Sequence, residues 1–174
     1  MHDAKVTVRR LLPADARIYR DIRLEALLTH PEAFSSAYET ESAEPLASFV
    51  RRLERAAVFG AFEGSELVGT AGFFNQTGRK HAHKGVLWGM YVRSKARRAG
   101  IGRRLAEAVI DHASRQVELI QLTVVSGNEP ARRLYASLGF CEYGTERNAL
   151  KHDGRYWDEV LMARPLTWAQ ANES

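Results

Sequence analysis

Residues 86–105 read VLWGMYVRSKARRAGIGRRL, in which an apolar strand runs through a basic turn into an amphipathic helix. Val86 to Val92 is rich in β-forming residues, whereas from Gly100 onward the apolar residues recur at helical spacing. The turn therefore ends at a helix N-terminus, where the first backbone N–H groups lack intrahelical partners and the helix dipole is positive. Such a turn is typical of a site for a phosphorylated ligand.

The turn is basic and contains two glycines. Within residues 93–104 there is no acidic residue, and there are six basic ones: Arg93, Lys95, Arg97, Arg98, Arg103 and Arg104. Gly100 and Gly102 carry no Cβ that would keep a ligand away from the backbone. The charge and the open backbone together suit a ligand that bears several phosphate groups.

Spacing distinguishes three kinds of nucleotide-binding turn, and the pattern here is Arg97-x-x-Gly100-x-Gly102. A dinucleotide fingerprint requires a small residue where Leu105 stands, and a Walker A loop requires a Gly-Lys-Ser/Thr tripeptide that this chain lacks. The remaining pattern resembles the acyl-coenzyme A loop, Q/R-x-x-G-x-G/A, of the GNAT superfamily of N-acetyltransferases. An ordinary glycine-containing β-to-α turn is the alternative interpretation.

A second motif agrees with this resemblance. Residues 128–140 read NEPARRLYASLGF, and the asparagine, the alanine three residues later, the Leu-Tyr pair and the Leu-Gly-Phe ending are in the register of the family's next motif. A short capped helix by itself would explain Asn128, Pro130 and Gly139. It would not explain Asn128 and Tyr135 together. The resemblance extends over roughly residues 5–166.

The resemblance implies an α/β fold in one N-acetyltransferase domain over residues 1–174, with a core at about 5–166 and a tail at 167–174 in which Trp168 is free to pack. We expect a mixed, mostly antiparallel central sheet of about six or seven strands, flanked by about four helices and splayed at the central strand pair. The residue patterns predict strands at 5–11, 57–62, 67–74, 86–92, 118–125, 141–149 and 157–163. The short turns at 63–66 and 151–154 predict two antiparallel hairpins, 57–62 with 67–74 and 141–149 with 157–163. They predict helices at 13–28, at 45–55, from 100 onward and after Asn128, while residues 31–44 show no clear periodicity.

The resemblance also implies the reaction: the acetyl group of acetyl-CoA is transferred to a primary amine, which attacks it directly in a ternary complex. It further implies which residues bind acetyl-CoA. The backbone of the central strand and the basic turn would bind it, through Met90, Tyr91, Val92, Arg97, Arg98, Ala99, Gly100, Ile101, Gly102, Arg103 and Asn128. Tyr135 would protonate the leaving thiolate, because a phenol is protonated at neutral pH and similar in acidity to a thiol. The alternative for Tyr135 is an amphipathic tyrosine of the core.

In the resembled family the acceptor site borders the region between the first two helices. The residues implied there are Phe34, Tyr38, Glu39 and Glu41, and a solvated loop with buried aromatic residues is the alternative. Many family members have a glutamate on the central strand, and Leu87 to Tyr91 contains none. The general base is therefore unassigned; the choices are Glu39, Glu41, His81, His83 or proton loss through water.

Composition sets the remaining expectations. The chain has 174 residues and a net charge of +4, which suits one globular domain and favours anionic ligands weakly. A single cysteine, Cys141, excludes an internal disulfide and a Cys-based zinc site, so we expect a cytoplasmic protein with no metal. No apolar run approaches 18 residues.

Two hypotheses about partners follow. Relatives commonly pair through a second hairpin and a C-terminal segment like those of this chain, so a homodimer is possible in which each chain acts on a small-molecule or protein amine. We expect no nucleic-acid or membrane partner. The alternative function is a catalytically silent acyl-CoA-binding or nucleic-acid-associated module, which would have no need for a proton donor seven residues after Asn128.

Overall fold

The structure is a computed structural model that describes residues 6–97 and 99–166. These residues form seven strands: β1 (Val6–Arg10), β2 (Ala57–Glu63), β3 (Glu66–Asn75), β4 (Lys84–Val92), β5 (Leu119–Val125), β6 (Cys141–His152) and β7 (Arg155–Pro165). They also form five α-helices: α1 (Ala16–Thr29), α2 (Tyr38–Ser42), α3 (Leu46–Arg55), α4 (Ile101–Ala113) and α5 (Glu129–Ser137). Short 3-10 turns lie at Pro13–Asp15, Pro31–Ala33 and Ser94–Ala96.

The strands form one mixed sheet in the order β1-β2-β3-β4-β5-β7-β6. Neighbouring strands are antiparallel, except that β4 and β5 are parallel. This confirms the predicted mixed, mostly antiparallel sheet and both predicted hairpins, β2–β3 and β6–β7. The helix α2 was not predicted, and it lies within the stretch that showed no periodicity.

The parallel pair at the centre of the sheet separates after three residues. Lys84, Gly85 and Val86 of β4 pair with residues 119–121 of β5, and the pairing stops there. Opposite β3 the register shifts between Thr70 and Gly72, where Gly89 of β4 has φ +62°. Such a bulge bends a strand and increases its twist, so β4 turns away from β5. The predicted splay of the central strands is confirmed.

Apolar side chains pack on both faces of the sheet. On one face α4 buries Ile101, Leu105 and Val109 in a core that also contains Tyr135 of α5. On the other face α1 and α3 contribute Tyr19 and Phe49 to a second core. The open part of the β4–β5 pair lies in the sheet between these two packed layers.

Within the described residues, no helix combines the length and the apolar character that crossing a membrane requires. The predicted tail, residues 167–174 with Trp168, lies outside the described part of the chain.

Candidate active site

The predicted phosphate-binding turn leads into the first turn of α4. Gly100 precedes the helix with φ +71°, and a Cβ placed on it would have no neighbour within 4 Å. No side chain caps the helix, and the first backbone N–H bonded back to the turn is that of Arg104, which donates to the carbonyl oxygen of Gly100 at 3.1 Å. Among the described residues, the N–H groups of residues 101–103 have no hydrogen-bond partner outside the helix, as is usual for a first helical turn, so they are potential donors for an anion.

Arginines on both sides of Gly100 fasten the turn to its surroundings. Arg97 donates from Nε to the carbonyl oxygen of Val92 at 2.9 Å, and its Nη2 lies 2.9 Å from His30 Nε2. Arg103 donates from Nη2 to Ser137 Oγ at 2.6 Å. These bonds hold positive charge beside the free N–H groups. Arg98 lies outside the described residues.

The second motif forms α5, which packs directly beside the start of α4. A Cβ on Gly102 would lie 3.3 Å from Leu134 Cδ2, so the helices are in close contact there. Asn128 caps α5 by accepting a hydrogen bond from the Ala131 N–H at 3.3 Å, and Gly139 has φ +88° just after the helix. The two motifs, separate in sequence, meet at one end of the split sheet.

Tyr135 faces inward from α5 and is 5% exposed. Its ring packs edge-on against Phe140, with centroids 5.8 Å apart. Burial raises the pKa of its phenol, so the hydroxyl is protonated at neutral pH. No described side chain hydrogen-bonds to that hydroxyl, which leaves its proton available to a ligand. The side chain is both a core residue and a potential proton donor.

The backbone of residues 90–92 has no partner in β5, although the Val92 carbonyl oxygen accepts from Arg97 Nε; its binding of acetyl-CoA stays a prediction. Its side chains have other roles. Met90 and Val92 pack against the core under α4, whereas the Tyr91 hydroxyl donates to Glu25 Oε1 of α1 at 3.0 Å. The strand is thus fixed through its side chains while its backbone remains open toward β5.

A cleft of about 650 Å³ lies on the opposite face of the sheet, against the open strands. Its lining includes Trp88 and Gly89 of β4, Thr123 of β5 and Glu159 of β7. Phe34, which precedes α2, also lines it. The cleft is therefore a candidate site for the acceptor amine.

One wall of the cleft is a buried ion cluster. Arg23 donates to both carboxylate oxygens of Glu41, at 3.1 and 2.9 Å, and Arg52 donates to Glu41 Oε2 at 3.0 Å. The Arg23 guanidinium carbon lies 5.3 Å from the ring centroid of Phe34 and 5.6 Å from that of Trp88. Burial opposes ionisation of Glu41, but the hydrogen bonds and charges of the two arginines prevail and lower its pKa to about 2.

The structure separates the predicted acceptor residues into two groups. Phe34 and Glu41 line the cleft, although Glu41 is 4% exposed and occupied by the arginines. Tyr38 and Glu39 are not among the lining residues, so their contact with an amine stays a prediction. His83 immediately precedes β4 and its carbonyl oxygen accepts from the N–H groups of residues 118 and 119, so it lies at the opposite end of the parallel pair from the split.

The lining residues that were missed from the sequence include Arg23, Trp88, Thr123 and Glu159. A signal exists in strand alternation, because Leu122 and Val160 point into the core under α4 and their neighbours Thr123 and Glu159 therefore face the other side. Thr123 donates to Glu159 Oε1 at 3.3 Å across β5 and β7.

Curated relatives match this chain over different lengths. A phosphinothricin N-acetyltransferase of Streptomyces coelicolor is 35% identical over 78 residues, which are 44% of this chain and 46% of that relative. The N-alpha-acetyltransferase RimI of Mycobacterium tuberculosis is 29% identical over 159 residues, which are 91% of this chain and 92% of that relative.

Solved structures match the fold along nearly the whole chain. A ribosomal-protein-alanine N-acetyltransferase from Brucella melitensis superposes with a TM-score of 0.80 at 27% identity, covering 92% of this chain and 99% of that one. A phosphinothricin acetyltransferase from Sinorhizobium meliloti, solved in complex with acetyl-CoA, superposes with a TM-score of 0.79 at 21% identity, covering 92% and 88%.

The sequence model of the Acetyltransferase (GNAT) family matches residues 19–140, which include both motifs, the split strand pair and all of the cleft lining except Tyr143 and Glu159. This match spans more than half of the sequence, and the chain belongs to the acetyltransferase (GNAT) family.

Proposed function

We propose that the protein transfers the acetyl group of acetyl-CoA directly to a primary amine while both substrates are bound. The observation that carries this proposal is the split between β4 and β5, which has the anion-binding start of α4 on one side and the cleft on the other. A thioester threaded through such a gap meets an acceptor that enters from the opposite face. The acetyl-CoA in the Sinorhizobium meliloti relative supports the choice of donor.

Acetyl transfer from a thioester requires three contributions. The carbonyl must be polarised, the acceptor ammonium must lose a proton, and the leaving sulfur must gain one. A backbone N–H of residues 90–92 is suited to the first, because that segment has no strand partner in β5. Tyr135 is suited to the last, because its buried phenol is protonated and has no competing side-chain partner among the described residues.

Phosphate binding is proposed at the start of α4. The free N–H groups of residues 101–103 supply donors, Gly100 leaves space beside them, and Arg97 and Arg103 supply charge. Ala99 belongs to the same turn, and Asn128 lies at the start of the adjoining helix α5. These residues remain our proposed contacts for acetyl-CoA.

The cleft favours an amine that carries an apolar or aromatic portion. Phe34, Phe74, Trp88 and Tyr143 contribute aromatic surface to it. Glu41 accepts hydrogen bonds from both Arg23 and Arg52, so Glu159 is the lining carboxylate that is available to a cationic amine. Both a small-molecule amine and a protein N-terminus fit this chemistry. One relative is named for the small molecule phosphinothricin and another is named an N-alpha-acetyltransferase.

The test is an assay of thiol release from acetyl-CoA with a panel of amines: L-phosphinothricin, an alanine-initiated peptide, spermidine and tyramine. We expect at least one of them to accelerate thiol release above the rate without acceptor and to gain 42 Da, about one acetyl group, by mass spectrometry. Acetyl-CoA binding by calorimetry without acetylation of any amine would instead indicate a silent acyl-CoA-binding module.

A further inference from the structure

We propose that Glu159 is the general base that accepts the proton of the acceptor amine. This inference rests on the proposed function and supplies the contribution that neither β4 nor Tyr135 provides. Glu159 lies on β7, and it follows Tyr135 by 24 positions in the chain. It is therefore outside both sequence motifs.

The position of Glu159 is fixed by the sheet. Glu159 pairs with Val125, the last residue of β5, so it lies at the end of the parallel pair where β4 and β5 have separated. Its carboxylate accepts a hydrogen bond from Thr123 Oγ1 at 3.3 Å and lines the cleft together with Trp88 and Gly89. A carboxylate held on a strand beside the gap is in place to contact a nitrogen that enters from the cleft.

The surroundings adjust the basicity of Glu159. Burial raises its pKa above that of an ordinary glutamate, the Thr123 hydrogen bond opposes this, and the charge of Glu146 on β6 raises it further. Tyr143 of β6 also faces the cleft, and on the far wall Arg23 and Arg52 are paired with Glu41. A carboxylate with a raised pKa is a stronger base than an ordinary glutamate carboxylate.

The other candidates are less suitable. Glu41 has a pKa of about 2, and both of its carboxylate oxygens accept hydrogen bonds from arginines, so it is a weak base. Glu39 is exposed on α2 and does not line the cleft. His81 and His83 are exposed in the loop before β4, at the end of the parallel pair away from the split.

The proton balance of the step is simple. The acceptor enters as an ammonium ion and gives one proton to the Glu159 carboxylate, which becomes a carboxylic acid. The neutral nitrogen then forms the new C–N bond with the acetyl carbon, the C–S bond breaks, and the nitrogen releases its second proton to solvent as the amide forms. The sulfur takes one proton, which we assign to Tyr135, and solvent returns both residues to their starting states.

The test compares Glu159→Gln with wild type across pH, using whichever of L-phosphinothricin, the alanine-initiated peptide, spermidine and tyramine is acetylated. Wild-type kcat/KM should fall as the pH drops through the raised pKa of Glu159, because the protonated carboxyl cannot act as a base. The variant should lose about 10²–10⁴-fold in kcat near neutral pH and should lack that acidic limb. Its deficit should narrow at alkaline pH, where the amine is already partly neutral.

Glu146→Gln is the matched control. Glu146 faces Glu159 across the β6–β7 pair, but it is exposed and does not line the cleft. Its removal should leave activity near wild type and move the acidic limb to lower pH, because its charge raises the pKa of Glu159. A general loss of packing would not produce that shift.

The outcomes separate the inference from the function on which it rests. An unchanged acidic limb in Glu159→Gln, with the loss confined to KM, would mean that Glu159 only binds the ammonium group and would overturn its assignment as the base. The proposed function would survive that result. Wild-type protein that acetylates no amine in the panel would overturn both.

Discussion

Tyr135 shows how one side chain serves the core and the chemistry at once. Its ring is packed against Phe140, and the same burial raises the pKa of its phenol. A higher pKa makes the phenol a weaker acid. Burial also disfavours a thiolate, however, so a coenzyme A sulfur that leaves into the same environment becomes more basic as well.

Tyr135→Phe removes the hydroxyl and keeps the ring. We expect kcat to fall by about 10²–10⁴-fold while acetyl-CoA affinity and the unfolding midpoint change little, because the lost group acts in the transition state. Steady-state kinetics with the accepted amine and calorimetry with acetyl-CoA measure the two quantities. Tyr156→Phe, at a 55% exposed tyrosine of β7, is the control. A kcat within about threefold of wild type, with chemistry rate-limiting, would assign the proton to water or another group.

Residues within a local motif could be predicted from the sequence, whereas residues whose role depends on a distant partner could not. Gly100, Asn128 and Tyr135 each stand in a short pattern that the sequence shows directly. The burial of Glu41 depends on Arg23 and Arg52, which are 18 and 11 positions away. An acidic residue in a stretch rich in Glu and Ser has no local feature that distinguishes a solvated carboxylate from a buried one.

At the scale of elements, the start of α4 gives a sharp test of phosphate binding. Gly100→Asp adds bulk and negative charge beside the free N–H groups, so acetyl-CoA affinity should be lost. Gly64→Asp is the matched control, since Gly64 also has positive φ (+60°) and no neighbour within 4 Å of an added Cβ, but it lies in the turn between β2 and β3. Calorimetry should show binding in the control and none in Gly100→Asp; equal affinities in folded proteins would contradict the site.

The Glu41 cluster joins three helices and predicts how stability depends on pH. The folded-state pKa of about 2 lies below the unfolded value of 4.5, so the stabilisation is complete above about pH 4.5 and is lost as the pH falls toward 2. Glu41→Gln should lower the free energy of unfolding at pH 7 by roughly 3–5 kcal/mol, because it leaves Arg23 buried without its counter-charge.

Urea unfolding at pH 7 and pH 3 measures this effect. The difference in unfolding free energy between Glu41→Gln and wild type should be smaller at the lower pH, where the wild-type carboxylate has begun to protonate. Glu39→Gln, an exposed neighbour on α2, should behave like wild type at both values. A difference that is the same at both pH values would show that lost packing, not the ion cluster, is responsible.

The helix α2 was missed in the sequence because its five residues, YETES, are too few to show a 3.6-residue period. Tyr91 at the end of β4 and Arg93 just after it donate hydrogen bonds to Glu25 of α1. These contacts also depend on the tertiary fold, so they could not be predicted from the local sequence. Longer elements such as α4 were predictable because several turns repeat the same apolar pattern.

At the scale of the whole molecule, β6 is one of the two edge strands of the described sheet, and residues 141–148 along it are exposed. Tyr143 and Tyr156 of the same hairpin are 56% and 55% exposed. An exposed edge strand with aromatic residues is suited to pairing with a second chain, so we expect a homodimer. Light scattering at micromolar concentrations should give the mass of two chains, and the mass of one chain throughout would contradict this prediction.

The strand order explains why Glu159 could not be predicted. The sequence predicts the β6–β7 hairpin, but either strand of a hairpin can lie next to β5. Because β7 inserts between β5 and β6, Glu159 comes to lie beside Thr123 and the gap. That choice is made by packing across the sheet, with Val160 and Met162 buried under α4 and α5, and not by any local turn signal.

The bulged part of β4 is an unpaired strand edge that lies inside the sheet and not at its border. Outer edges must be guarded against pairing with foreign chains. The inner edge at residues 87–92 needs no such protection, because another polypeptide strand could pair with it only by displacing β5. An unbranched ligand chain with amide groups of its own needs less room than a polypeptide strand. We therefore expect this gap to accept such a ligand and to exclude a strand, whatever side chains line it.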